Sequence, residues 1–258
     1  MACDPADQYA TDRNLRARQR LWERQAPPFD LVAWTLGVAG ITRGDRALDV
    51  GRGNGRQLTA MRSLGIDAVG CDLSVGMLAR AGHSAGAVAD AVALPFRAAA
   101  FDVVLASHML YHVADRPAAA HELRRVLVAG GRCVAVTNGG HHMASLRRLV
   151  QDVAVRFQPG WLWVDRLADA FSLENGADQL AVAFDDVRLV RPDPPGRALV
   201  TDPDVIAGYL ASVGDIYGQE LSLPWDRLVD HVRIRAAQVI RDEGHFVIEG
   251  DVGAFVCA

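Results

Sequence analysis

The chain of 258 residues has no lysine, so all 27 of its basic residues are arginines. This excludes a lysine Schiff base, a lysine general base and the Gly-Lys-Ser/Thr ending that a Walker phosphate loop requires. Cysteine is scarce as well, and Cys3, Cys71, Cys133 and Cys257 lack the spacing of a metal site, so no metal is expected. Cys71, Cys133 and Cys257 fall in apolar, strand-like runs and read as reduced core residues, which predicts a cytoplasmic protein. No apolar run approaches the roughly 20 residues of a membrane span, and the polar, charged amino terminus lacks a signal-peptide core, so no membrane association is expected. The net charge of -4 lacks the basic excess that offsets phosphates, which argues against nucleic acid as a partner. Hydrophobic residues are plentiful, at 50% of the chain, ample for one α/β domain with an added cap.

The most informative stretch is RALDVGRGNGRQL, residues 46 to 58. Ala47, Leu48 and Val50 around Asp49 form the short apolar run of a buried parallel strand, and Gly51 breaks it. Leu58, Met61 and Leu64 then recur at helical spacing, with Gly65 as a stop. The segment is a strand, a glycine turn and a helix, in which a ligand can approach bare backbone near the positive helix end. The NAD fingerprint G-x-G-x-x-G fits Gly51 and Gly53, but its third glycine falls on Arg56. Residues 66 to 73 predict a second strand ending at Asp72, whose carboxylate could accept from ribose hydroxyls; the alternative is a helix cap by Asp72 or Ser74.

The third glycine of the turn is Gly55, and the resulting D-x-G-x-G-x-G over Asp49 to Gly55 resembles the first signature of class I S-adenosylmethionine-dependent methyltransferases. Four further blocks follow in that family's order: the strand to Asp72; AVADAVALPF at 87 to 96; FDVVLASHMLYHV at 101 to 113; and AAHELRRVLVAGGRCVAVTN at 119 to 138, which resembles the family's helix, Gly-Gly turn and fifth strand. The resemblance covers about residues 45 to 138. It implies S-adenosylmethionine as cofactor, held by Asp49, Gly51, Arg52, Gly53, Asp72, Leu73, Met77, Asp90, Ala91, Ser107 and Met109, with Asp90 and the Ala91 amide at the adenine. Arg52 departs from the family, which usually has a small residue there; its side chain could point into solvent, pair with a nearby carboxylate or crowd the cofactor, and the first two are preferred because the glycines are intact. The implied fold is a Rossmann-like, doubly wound α/β sheet of seven mostly parallel strands with the last antiparallel.

That fold places the last two strands at 184 to 190 and 253 to 258. The single domain then divides into an amino-terminal helical cap (1 to 44), the cofactor core (45 to 138) and a helical lid insertion (192 to 244). Residues 7 to 25, with Tyr9, Leu15, Leu21 and Trp22, suggest an amphipathic helix similar to the leader of a group of bacterial small-molecule methyltransferases. Within the insertion, helices are expected near 203 to 213, after Thr201-Asp202-Pro203, and near 225 to 243, with Pro224 suited to the first turn. Trp161, Trp163, Tyr209, Tyr217 and Trp225, with Phe157 and Phe171, read as lid core or as the wall of an apolar acceptor pocket.

Methyl transfer from a sulfonium is an in-line displacement, so positioning and water exclusion carry much of the catalysis. His112, Tyr111 and His108 are the candidate catalytic groups, an imidazole being able to take a hydroxyl or ammonium proton. His141 and His142 read as substrate-side or exposed. The expectation is methyl transfer to O, N or C of a small apolar or aromatic metabolite in specialised metabolism. The alternatives are a non-catalytic S-adenosylmethionine-binding regulatory protein and an NAD-dependent oxidoreductase.

Overall fold

The computed structural model describes residues 13 to 80, 86 to 218 and 221 to 258. Two compact units emerge. A sheet unit comprises Asp30–Gly140, Arg166–Asp193 and Val252–Ala258, and a helical unit takes the described part of Met1–Phe29 with His141–Asp165 and Pro194–Asp251.

Seven strands build the sheet unit: β1 (Arg46–Val50), β2 (Asp67–Asp72), β3 (Gly86–Val88), β4 (Phe101–Ser107), β5 (Leu127–Asn138), β6 (Val187–Val190) and β9 (Val252–Cys257). Their order is β3-β2-β1-β4-β5-β9-β6. β1 to β5 pair in parallel, and β9 runs antiparallel between β5 and β6. This is the expected Rossmann-like sheet. Leu48, Val50, Val104 and Ala106 bury one face with the helix Arg116–Val126, while Ala47, Val103 and Leu105 bury the other with helices Leu31–Ala39 and Arg56–Ser63. Burial on both faces is why these strands read as unbroken apolar runs.

Two local expectations need correction. Gly130 and Gly131 do not form a turn before β5: they lie inside one continuous strand as an irregularity, because the register with β4 slips between Phe101 and Val103. Gly131 suits that place, since a Cβ there would sit 3.0 Å from the Asp102 carbonyl oxygen. Phe171 is not lid core; it packs edge-on against Phe255 in the sheet unit, with ring centroids 6.1 Å apart. Cys71, Cys133 and Cys257 are buried free thiols as expected, and Cys3 and Tyr9 lie outside the described residues.

In the helical unit, helices Arg13–Trp22, Ala144–Ala154, Pro203–Ala211 and Trp225–Glu243 pack around Leu21, Val150, Ile206, Leu210, Leu228 and Val232, and Gly214–Tyr217 forms a further short helix. Asp202 caps its helix by accepting from the Asp204 amide at 2.9 Å, with Pro203 opening the first turn. Pro224 instead takes the cap position, one residue before the helix, and Gly244 in a left-handed conformation ends it. The insertion is not wholly helical. β7 (Arg197–Val200) and β8 (Phe246–Glu249) form an antiparallel pair that brackets the helices. No helix among the described residues is long and apolar enough to cross a membrane.

Candidate functional site

β1 lies between β2 and β4, so the strand order reverses at its carboxyl end, the place where open α/β sheets bind ligands. Gly51, Gly53 and Gly55 adopt φ values of +69°, +53° and +79°, which only glycine takes at little cost. The amides of Gly51 and Arg52 both donate to the Cys71 carbonyl, at 2.9 and 3.1 Å, and the Gly55 amide donates to the Arg52 carbonyl at 2.9 Å. A Cβ on Gly51 would fall 2.7 Å from the Met109 Cβ, so the loop and the segment after β4 are in contact.

Asp49, at 2% exposure, is buried beneath this loop. Its carboxylate accepts from the Leu58 amide, while Oδ2 has no hydrogen-bond partner. Burial, reinforced by the charge of Asp72, pushes Asp49 up to about 7, and Arg52 acts in the opposite direction. Of the three alternatives for Arg52, exposure to solvent is overturned: the residue is 5% exposed and its side chain folds back over the sheet. Cβ atoms on Gly70 and Gly86 would meet Arg52 Cδ at 2.7 Å and Cζ at 3.2 Å, and Nη2 donates to the Leu78 carbonyl at 3.3 Å.

Asp72 bonds to the loop and to the turn that precedes the next helix. One carboxylate oxygen accepts from the Gly53 amide at 2.8 Å, tying β2 to the loop, and the other accepts from the Ser74 amide at 2.9 Å ahead of helix Val75–Arg80. Ser74 Oγ accepts from the Met77 amide at 3.3 Å. With about four lone-pair sites, the carboxylate keeps capacity for two ribose hydroxyls. Leu73 is exposed, whereas Met77 is buried. Beyond β3, Asp90 is exposed and accepts from the Val92 amide at 3.2 Å, and Ala91 is buried. The Leu94 to Phe96 turn that follows is held by Arg125 and Glu122, through the Leu94 amide and the Leu94 and Phe96 carbonyls.

At the end of β4, Ser107 Oγ accepts from Gln57 Nε2 at 2.9 Å. Sequence reasoning missed Gln57, which lies one helical residue beyond the loop without a motif of its own. His108 is left-handed at φ +53°, its amide donates to the Val136 carbonyl at 2.8 Å, and burial pulls its imidazole down to about 4. Tyr111 and His112 share the single turn Leu110–His112, with ring centroids 4.6 Å apart, and Tyr111 lies 6.5 Å from His108. The three candidate catalytic groups are therefore neighbours. His141 and His142 belong to the helical unit: the His141 amide donates to the Asp251 carboxylate at 3.1 Å, and the His142 ring lies 5.0 Å from Trp22.

Two features fit the cofactor implied by the sequence resemblance: a turn of three left-handed glycines at the reversal point of the sheet, and a buried carboxylate oxygen at Asp49 without a hydrogen-bond partner. Comparison with known proteins agrees. Residues 48 to 135 match the family described as "Methyltransferase domain". The demethylmenaquinone methyltransferase of Beutenbergia cavernae is 36% identical over 119 residues, covering 45% of this chain and 46% of the relative. The chain thus matches about half the length of that curated relative. A methyltransferase of an antibiotic biosynthesis pathway from Anabaena variabilis superposes with a TM-score of 0.64 at 14% identity, over 88% of this chain and 96% of that one. Phosphoethanolamine N-methyltransferase 2 of Haemonchus contortus, solved with S-adenosyl-L-methionine, gives 0.56 at 20% identity, over 97% of this chain and 56% of that one. Residues 48 to 135 are thus similar to a methyltransferase domain, and the strand order around them is that of the fold which such domains share.

Proposed function

We propose that the protein transfers the methyl group of S-adenosylmethionine to a small, apolar or aromatic metabolite in cytoplasmic specialised metabolism. The observation that carries this reading is the loop of three left-handed glycines, joined through Gly53 to the Asp72 carboxylate at the reversal point of the sheet. Asp72 is assigned to the ribose and Asp90 with Ala91 to the adenine. Leu73 and Met77 are given the flank of the adenosyl group, and Ser107 and Met109 its reactive end. Bound S-adenosylmethionine supplies an electrophilic methyl on a sulfonium; the acceptor's lone pair forms the new bond as the carbon–sulfur bond breaks, leaving S-adenosylhomocysteine. An acceptor hydroxyl or ammonium must also lose a proton. Among the candidate groups His108 is the poorest base, because an imidazole held at about 4 has little drive to keep that proton. His112 is assigned the role when a base is needed, with Tyr111 orienting it edge-to-face. The lid role of residues 192 to 244 and the selection of the acceptor form part of the same proposal, supported by the tryptophans and tyrosines concentrated in the helical unit.

The clue to the non-catalytic alternative is Arg52, which could disable the loop. Its buried course over Gly70 and Gly86, with the loop glycines in place, gives that alternative no support. The test is transfer of labelled methyl from S-adenosylmethionine to a panel of phenols, quinols and amines. Turnover of one class, reduced in His112→Ala with cofactor affinity unchanged, is the expected result. Cofactor binding without transfer to any class would favour the binding protein.

A further inference from the structure

Asp49 is in cross-strand register with Gly70 of β2, and Gly70 with Gly86 of β3. Two glycines side by side in adjacent strands leave a trough on the sheet immediately beside the buried aspartate. Strand glycines weaken a sheet and commonly mark the close approach of another group. Here that group is Arg52, whose methylene stem lies over Gly70 and whose guanidinium lies over Gly86. A small residue at position 52, usual in the family, would leave the trough empty. The pattern therefore joins three positions that are distant in sequence: an arginine in the loop and a glycine in each of two strands.

The trough also determines where the charge lies. The groups acting on Asp49 are the Asp72 carboxylate from β2, the Arg52 guanidinium and the Leu58 amide from the following helix; Arg52 in turn feels Asp49, Asp72, Cys71 and Arg62. Leu105 of β4, the neighbour in register on the other side, is apolar. Among these groups Arg52 alone brings positive charge directly to bear on Asp49. S-adenosylmethionine carries an ammonium and a sulfonium, so an anion beneath the loop complements it and a neutral acid does not.

We propose that Arg52 is a positioning residue for cofactor binding: its guanidinium, laid across Gly70 and Gly86, supplies the countercharge that lets buried Asp49 meet the cationic cofactor as a carboxylate. The inference rests on S-adenosylmethionine as the ligand of this site. Affinity then depends on pH, rising as Asp49 ionises, and removal of the countercharge moves that rise to higher pH. Arg52→Met keeps the stem that fills the trough and removes the charge.

The experiment is calorimetric titration of the full chain and of Arg52→Met with S-adenosylmethionine between about pH 5.5 and 8.5, where Asp49 is expected to change charge. 5′-Methylthioadenosine, which lacks both cationic groups, serves as the control ligand. The ligand's own amino group titrates alike against both proteins, so a difference between profiles belongs to the protein. The expected result is tighter wild-type binding with rising pH, a variant weaker at pH 7 by about tenfold, the effect of one pKa unit, and 5′-methylthioadenosine affinity that neither pH nor the substitution moves. Coincident wild-type and variant profiles overturn the proposal and leave Arg52 a space-filler. If Arg52→Met does not fold, the wild type decides: equal pH dependence for the two ligands overturns the proposal, and dependence confined to S-adenosylmethionine supports the Asp49 step, with Arg52→Gln then testing the arginine. Failure of both ligands to bind at any pH overturns the cofactor reading itself, a result distinct from loss of the pH effect.

Discussion

In the helical unit the half-buried hydroxyl of Tyr217 donates to one oxygen of Asp165 at 3.1 Å, and Arg147 holds the other at 2.9 Å, so acid, base and phenol satisfy one another. In the sheet unit the buried Asp49 keeps an oxygen with no hydrogen-bond partner, and its arginine lies over neighbouring strands. The first cluster is half-buried and Asp49 is fully buried. A satisfied cluster secures packing, whereas a buried carboxylate left short of partners costs stability and marks a place where a ligand can complete the set. The difference separates scaffold from site without reference to any motif. Gln25 Oε1 and the indole N–H of Trp163, which lies 4.3 Å from Tyr217, lack partners and are exceptions in the helical unit.

The largest effect expected from this contrast is on stability against pH. Native Asp49 holds its proton to about 7, while the unfolded chain gives it up near 3.8, so wild-type stability falls as pH rises through that window. Asp49→Asn lacks the titration, so the variant's stability relative to wild type should climb from pH 4 to 7 by a few kcal/mol, at ~1.4 kcal/mol per pH unit, and stay level outside the window. Urea melts at several pH values measure this, and a constant difference would remove Asp49 from the class of unmatched buried charges. Gly51→Ala comes next. Its Cβ would collide with Met109 at a positive φ, and strain of order 1–3 kcal/mol should weaken S-adenosylmethionine binding roughly 10- to 100-fold by calorimetry. Asp72→Ala frees the Gly53 and Ser74 amides and should cost about tenfold in the same assay, roughly one charge-assisted hydrogen bond. Unchanged affinity in a folded protein would reduce Asp72 to a helix cap. The smallest effect belongs to the satisfied cluster: Tyr217→Phe should lower stability by about 1 kcal/mol while leaving cofactor affinity untouched, and a change in affinity would undo the division between the two regions.

The legible parts share a local cause. β1, the glycine loop and the helix Arg56–Ser63 were readable because an apolar run, residues permissive of positive φ and a three-residue period each act within a few positions. Asp202 and Pro203 announced their helix for the same reason. Less legible features depended on residues far apart in the chain. β7 and β8 pair across 203 to 243, where no periodicity links one strand to the other. Phe171 lies beyond the recognised blocks, and its aromatic character did not say which core it would join. The strand irregularity at Gly130 and Gly131 looked like a turn because two glycines mark either, and only the register with β4 distinguishes them.

The same division runs through the candidate site. Sequence alone determined the succession of strands in the first half, the glycine loop after β1 and the resemblance to methyltransferases, because five short blocks in fixed succession each carry local physics. It also brought His108, Tyr111 and His112 into one segment, as neighbours in sequence must be. Tertiary structure decided the electrostatics. Whether Arg52 faces water or lies across Gly70 and Gly86, whether Asp49 is matched, and that Asp72 serves loop and helix together all depend on distances between strands. Burial and Coulomb energy are properties of the assembled neighbourhood, which no local stretch of the chain contains.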